Sequence, residues 1–186
     1  MSLDYTNCSA ELLRFPLSGP TGGSGITEVD VIVVDLEDSD GATGTGFSYV
    51  LGGGGSTVLT ATHDLLDRFV AGQDSLPPQA LWQRLSGSLN RLGRGIGYLA
   101  IAAIDVAAWD LYARRLDKAL GTVLGGEARA VPVYGSGGFG PTEDTDTAVA
   151  RALVYAKMGC TAIKLRVTGN HEDISRMHSV RDELPN

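Results

Sequence analysis

Residues 100–126, AIAAIDVAAWDLYARRLDKALGTVLGG, are the most strongly patterned part of the chain, and the rest can be placed relative to them. Ile101, Ile104, Ala108 and Leu111 recur at the three- and four-residue spacing of a helical face, and Val106, Trp109, Ala113 and Leu116 form a second apolar face beside it. A helix apolar on two faces is expected to be buried on most sides. Alanines at 102, 103, 107 and 108 leave so little bulk that another helix or a sheet can approach its backbone closely. Arg114, Arg115 and Lys118 place positive charge where the helix dipole favours it, and Gly121 is expected to end the helix. Asp105, Asp110 and Arg114 interrupt the apolar run, so it does not read as a membrane span.

Composition narrows the class. The chain has 186 residues, 43% hydrophobic and 20% charged, the balance of an ordinary globular protein with one good core or two small ones. A formal net charge of -7 argues against nucleic acid or an anionic membrane as partner, because both call for a basic surface. The first seven residues lack the basic start and apolar core of a signal peptide, so a cytoplasmic location is the default expectation. Cys8 and Cys160 stand far apart without ligand spacing and read as two free thiols.

Upstream of the helix, a short strand is expected around residues 12–15, followed by a loop over 16–25 (PLSGPTGGSG), read as a lid or linker. Residues 28–37 (EVDVIVVDLE) and 43–51 flank the turn residues Asp38-Ser39-Asp40-Gly41 and predict a hairpin. With the first strand it makes a three-stranded antiparallel sheet. The glycines at 52–55 lack both the lysine of a phosphate-binding loop and dinucleotide-loop spacing, so they read as a flexible connection into a helix starting near Ser56 or Thr57. Helices are expected over 57–71 and 78–85. Past Gly126 come a short apolar strand over 130–134, a glycine loop over 135–140, and a helix over 142–158 capped by Thr142. A strand over 160–167 and a helix over 171–183 complete the pattern. Strand and helix alternating at about thirty residues per unit is parallel βα architecture.

Chemistry is concentrated in the strand CTAIKLRV, where Ala162, Lys164 and Arg166 share one face and Ile163 and Leu165 the other. Strands of parallel sheets are usually apolar on both faces, and active sites of βα folds lie at their carboxyl ends. Two cations on one face therefore meet an anion at a site, pair with carboxylates, or reach solvent at an edge. A lysine beside a second cation has its charged form disfavoured, which suits a base.

Residues 100–126, then VPVYGSGGF (131–139), then KMGCTAIKLRV (157–167) resemble in order and spacing the enolase superfamily, specifically its mandelate racemase and muconate lactonizing enzyme branch. The resemblance implies an α+β capping domain over residues 1–129, a three-stranded antiparallel meander plus helices. Residues 130–186 would be the first βα units of a TIM-like (β/α)7β barrel, truncated before its third strand. It places Lys164 and Arg166 on the K-x-K motif of the second barrel strand, whose second lysine usually moves the proton α to the substrate carboxylate while the first assists. Arg166 thus stands at the usual base position; arginine stays protonated and is a poor base, though it can bind a carboxylate or lower the pKa of Lys164. Either Lys164 takes over as base or the base comes from the opposite side of the barrel.

Ser136 resembles a polar substrate-contact position, and Phe15 and Gly19 fall with the capping loops, over 16–25 and 51–56, that select the substrate. Magnesium (Mg2+) is implied as cofactor, with its acidic ligands on later strands outside these residues, so no metal ligand is assigned here. Glu172, Asp173, Asp182 and Glu183 are not promoted to ligands, and His63, His171 and His178 read as solvated.

The resemblance implies an isomerase or lyase as parent: a divalent-metal-dependent racemase or dehydratase that abstracts the proton α to the carboxylate of a hydroxy acid or acid sugar through an enolate. Its partners would be a small carboxylate substrate and further copies in a homo-oligomer, with no nucleic acid and no membrane. The alternative is a catalytically inactive fragment or interaction module that oligomerises through its unfinished barrel. Asp105 and Asp110 are expected to be structural, paired with backbone or arginine groups, because buried charge must be paired.

Overall fold

A computed structural model describes residues 3–21, 25–74, 76–90 and 94–184. The chain divides into two compact units, Met1–Gly19 with Ile26–Ala128, and Pro20–Gly25 with Arg129–Asn186.

The first unit is built on a sheet of β1 (Tyr5–Thr21), β2 (Ile26–Asp38) and β3 (Thr43–Leu51), in that order. β2 and β3 run antiparallel with Val33 opposite Phe47 and Glu37 opposite Thr43. Alternation sends Ile32, Val34 and Leu36 into the core. At the turn, Asp38 Oδ1 accepts the N–H groups of Asp40 and Ala42. Its other oxygen lies 2.8 Å from Arg115 Nε. β1 is much longer than the strand expected over 12–15, so residues 16–21 are strand and not loop. Proline is tolerated there because β1 lies at the sheet edge, where a missing N–H breaks no ladder on its open side. Residues 22–24 of the expected loop lie outside the described residues.

Four helices follow: α1 (Gly55–Phe69), α2 (Pro78–Ser88), α3 (Gly95–Arg115) and the short α4 (Leu120–Val123). α3 lies against the sheet, and Ile101, Ile104, Ala108 and Leu111 are all buried as their spacing requires. What approaches its alanines is a pair of glycines on β3. A Cβ added at Gly46 would stand 2.2 Å from the Ala103 carbonyl oxygen, and one at Gly44 would stand 2.4 Å from that of Ala107. The second apolar face is only partly covered: Ala113 is buried while Val106 and Leu116 are exposed. By length and composition α3 could cross a membrane, yet half of its apolar window (50%) is buried inside the protein.

The helix also ends earlier than Gly121. Asp117 adopts a left-handed backbone with φ 51, its N–H bonds the Arg114 carbonyl at 3.0 Å, and the Lys118 N–H bonds that of Ala113 at 3.1 Å. This is a Schellman stop with aspartate where glycine is usual. Asp110 is structural, accepting the Thr45 N–H and the Arg114 guanidinium. Asp105 forms no hydrogen bond or ion pair with the described residues, and burial pushes its carboxyl up.

In the second unit β4 (Tyr134–Gly135) and β5 (Ala162–Ile163) pair in parallel, and α5 (Thr145–Lys157) and α6 (His171–Glu183) supply the core through Ala148, Ala152 and Val180, joined by Phe139. The strands expected over 130–134 and 160–167 shrink to these short ladders because residues 130–133 find no ladder partner among the described residues. α5 starts at Thr145 and not Thr142, since Asp144 is the better cap: its carboxylate takes both the N–H and the hydroxyl of Thr147. α6 has the expected bounds, opened by a capping box of Asn170 and Asp173.

Candidate active site

β5 divides its side chains as alternation dictates. Ile163 and Leu165 pack with Phe139, Ala148, Ala152 and Val180, while Ala162, Lys164 and Arg166 take the opposite face. Tyr134 stands opposite Ala162, and the Lys164 N–H donates to the Gly135 carbonyl at 2.8 Å. Continuing that register brings Ser136 level with Lys164 on the same face. Lys164 Nζ lies 5.9 Å from the centroid of the Tyr134 ring, so the lysine lies across its own sheet. Lys164 and Arg166 are both exposed and form no ion pair with a described carboxylate, so of the three arrangements open to two cations here, the solvent-facing one is observed.

The loop that carries Ser136 is built rather than slack. Tyr155 Oη donates to the Gly137 carbonyl at 2.8 Å, and a Cβ at Gly135 would stand 2.2 Å from the Tyr155 ring. Arg151 lies 5.8 Å above the Phe139 ring and 3.6 Å from Glu143.

A further residue organises this end of the unit. Arg176 is buried and donates to the carbonyls of Pro141, Glu143 and Arg166 and to Asp173, the last at 2.6 Å. It thereby joins the segment after β4 to the segment after β5, at the carboxyl ends of both strands. Burial alone pushes the Asp173 carboxyl up, but the N–H groups of Thr168, Gly169 and Asn170 and the Thr168 hydroxyl bring it below its ordinary range. Sequence periodicity gave no sign of Arg176 beyond its place three residues after the capping-box aspartate.

The sign of the pH dependence follows. A carboxyl depressed in the folded state contributes stability above its unfolded pKa of about 3.9 and loses it as pH falls below that value. The second unit is therefore expected to loosen in acid, read as faster amide exchange over residues 164–176. Arg176→Met should produce the same loosening at neutral pH, and Arg176→Lys should recover only part, since an ammonium cannot reach all those acceptors. Unchanged exchange in Arg176→Met would show that the clamp is dispensable.

Phe15 and Gly19 are residues of the first unit, Phe15 half-exposed on β1 and Gly19 within the same strand. His63, His171 and His178 are exposed, and both cysteines are free thiols. No group of three or more His, Cys, Asp or Glu side chains among the described residues could hold a metal ion, so the magnesium implied by sequence finds no ligand set in them.

An antiparallel three-stranded sheet covered by helices, followed by parallel βα units, is the arrangement of a capping domain and the first units of a barrel. Residues 14–125 match the family described as mandelate racemase / muconate lactonizing enzyme, N-terminal domain. The chain belongs to this family of the enolase superfamily. It is 35% identical over 185 residues to a 3,6-anhydro-alpha-L-galactonate cycloisomerase of Streptomyces coelicolor, covering 94% of this chain and 50% of that protein. It is 32% identical over 163 residues to an L-talarate/galactarate dehydratase of Salmonella typhimurium, covering 86% of this chain and 40% of the relative. Among solved structures, a racemase from S. coelicolor with bound magnesium superposes with a TM-score of 0.85 at 31% identity, over 97% of this chain and 52% of that one. The chain thus spans about half the length of the relatives it matches.

Proposed function

We propose that this chain is the N-terminal portion of an enzyme that abstracts the proton α to the carboxylate of a hydroxy acid or acid sugar, as a dehydratase or racemase, with Lys164 as the base. The observation that supports it is the placement of Lys164 and Ser136, by continuation of the β4–β5 register, level on the face opposite Ile163 and Leu165, with Arg166 two residues on. As the base, Lys164 takes the α proton on Nζ, and the electron pair of the broken C–H bond moves into the carboxylate to give the enolate. Arg166 carries a permanent positive charge that binds the substrate carboxylate. Ser136 offers a hydroxyl to a substrate oxygen. In a dehydration the enolate then expels the β-hydroxyl, which leaves as water with a proton from an acid outside these residues, and the enol product becomes a keto acid. Phe15 and Gly19 would contribute to substrate choice from the capping side. The complete protein would need magnesium, held by acidic ligands outside the described residues, to supply electrostatic stabilisation of the enolate. A cytoplasmic homo-oligomer without nucleic-acid or membrane partners completes the proposal.

The test uses the protein of the complete reading frame, a panel of aldonates and aldarates, and trapping of keto acid with semicarbazide. Product formation is expected from at least one acid sugar, lost on chelation and restored by magnesium. Carbonyl product that survives chelation, or no product and no racemised acid from any substrate, would contradict it.

The exposed Val133, Tyr134, Met158 and Val167 favour a second reading for the 186-residue chain alone, self-association through uncovered apolar surface. Sedimentation of that chain should show an oligomer; a monomer unfolding cooperatively across residues 130–186 would count against it.

A further inference from the structure

Asp30 lies in β2 with no exposed surface, and three donors from two separate segments meet on its carboxylate. Arg14 Nε donates to Oδ1 at 2.6 Å, Arg14 Nη2 donates to Oδ2 at 3.2 Å, and the Gly55 N–H donates to Oδ2 at 3.1 Å. Gly55 opens α1, whose N-cap, Gly54, has no side chain with which to cap it. Asp30 thus supplies that cap from the sheet. The fit is close: a Cβ at Gly55 would stand 2.5 Å from the Asp30 Cβ, so no other residue fits there without displacing the carboxylate. Gly53 and Gly54 approach this point with φ of 107 and 98, a backbone open only to glycine. The segment 52–55, expected from sequence to be a flexible connection, therefore has a prescribed path that ends on Asp30.

Arg14 is the residue before Phe15, and Gly55 is the last residue of the glycine run, so one carboxylate ties the start of one capping segment to the end of the other. We propose that Asp30 and Arg14 are positioning residues that hold residues 15–21 and 52–55 in register for substrate selection. This rests on the acid-sugar reading above. The Arg14 side chain is 55% exposed while Asp30 has no exposed surface, so Arg14 is both the charge that keeps the buried carboxylate paired and the link between the segments. The Arg14 fork holds the Asp30 carboxyl below its ordinary range, keeping it an acceptor for both partners.

The experiment compares wild type, Arg14→Gln and Asp30→Asn in the protein of the complete reading frame. Arg14→Gln is the primary variant because Asp30 is buried and its replacement can unfold the unit. For Arg14→Gln we expect amide exchange to rise about tenfold in both 15–21 and 52–55 while the α3 amides stay protected. KM for the accepted acid sugars should rise roughly tenfold with kcat within about a factor of three, and the ranking of substrates should change. Arg14→Lys should restore part of the KM, as a point charge replaces the fork. Exchange that rises in 15–21 alone would overturn the link, and exchange that rises in both segments with KM and ranking unchanged would overturn the role in selection. If the wild-type protein turns over no acid sugar, the proposed function fails on its own while the exchange comparison still decides whether the link exists.

Discussion

Gly46→Ala is expected to destabilise the first unit by about 3 kcal/mol or more, at or beyond the upper end of ordinary overpacking costs. The added methyl would stand 2.2 Å from the Ala103 carbonyl oxygen and 2.3 Å from the Ala107 nitrogen, both in the backbone of α3. A side chain could rotate away, but a helix backbone held by its own hydrogen bonds against a sheet cannot yield locally. α3 must lift from β3 along its length, exposing Ile104 and Leu111, which have no surface in contact with solvent. Against a typical total stability of about 5–15 kcal/mol the loss is large. Urea unfolding measures it. The matched control is Gly87→Ala in α2, where an added Cβ meets nothing within 4 Å. That variant should be stabilised by up to about 1 kcal/mol through reduced freedom of the unfolded chain. A Gly46→Ala midpoint equal to wild type would refute the close approach of β3 and α3.

The close approach also shows where sequence stops being informative. The alanines of α3 announced that something could come near, because side-chain volume is a local property. That the visitor is Gly44 and Gly46 was not legible, since glycines in a strand look the same whether they meet a helix or open water. The hairpin across Asp38 to Gly41 and the bounds of α6 were legible for the converse reason, turn chemistry and capping being written within a few residues. Asp117 misplaced the end of α3 because aspartate visits the left-handed region far less readily than the glycine four residues on.

At the candidate site the division is similar. The shared face of Lys164 and Arg166 follows from the period of a strand, and the resemblance to the mandelate racemase branch gave them a role to be tested. Arg176 and Asp30 were invisible because their meaning lies in partners ten or more residues away, Arg166 and Pro141 for one, Arg14 and Gly55 for the other. Both are buried charges, and both are held by hydrogen bonds shared with segments that composition alone marks as loops or strand ends.

The largest functional effect is expected at Lys164. General-base catalysis is worth about 10²–10⁴-fold, and Arg166 cannot substitute because its guanidinium stays protonated. Lys164→Ala should therefore reduce proton abstraction by at least about a hundredfold while leaving the unfolding midpoint near wild type, since the side chain is exposed and its one described contact is with the Tyr134 ring. The direct measurement is wash-in of solvent deuterium at the carbon α to the carboxylate, followed by NMR in the magnesium-loaded protein of the complete reading frame, because it reports the proton transfer itself whatever the later product. Deuterium incorporation by the wild type and its loss in Lys164→Ala is the result predicted here; incorporation at an undiminished rate in Lys164→Ala would contradict the assignment of Lys164 as the base.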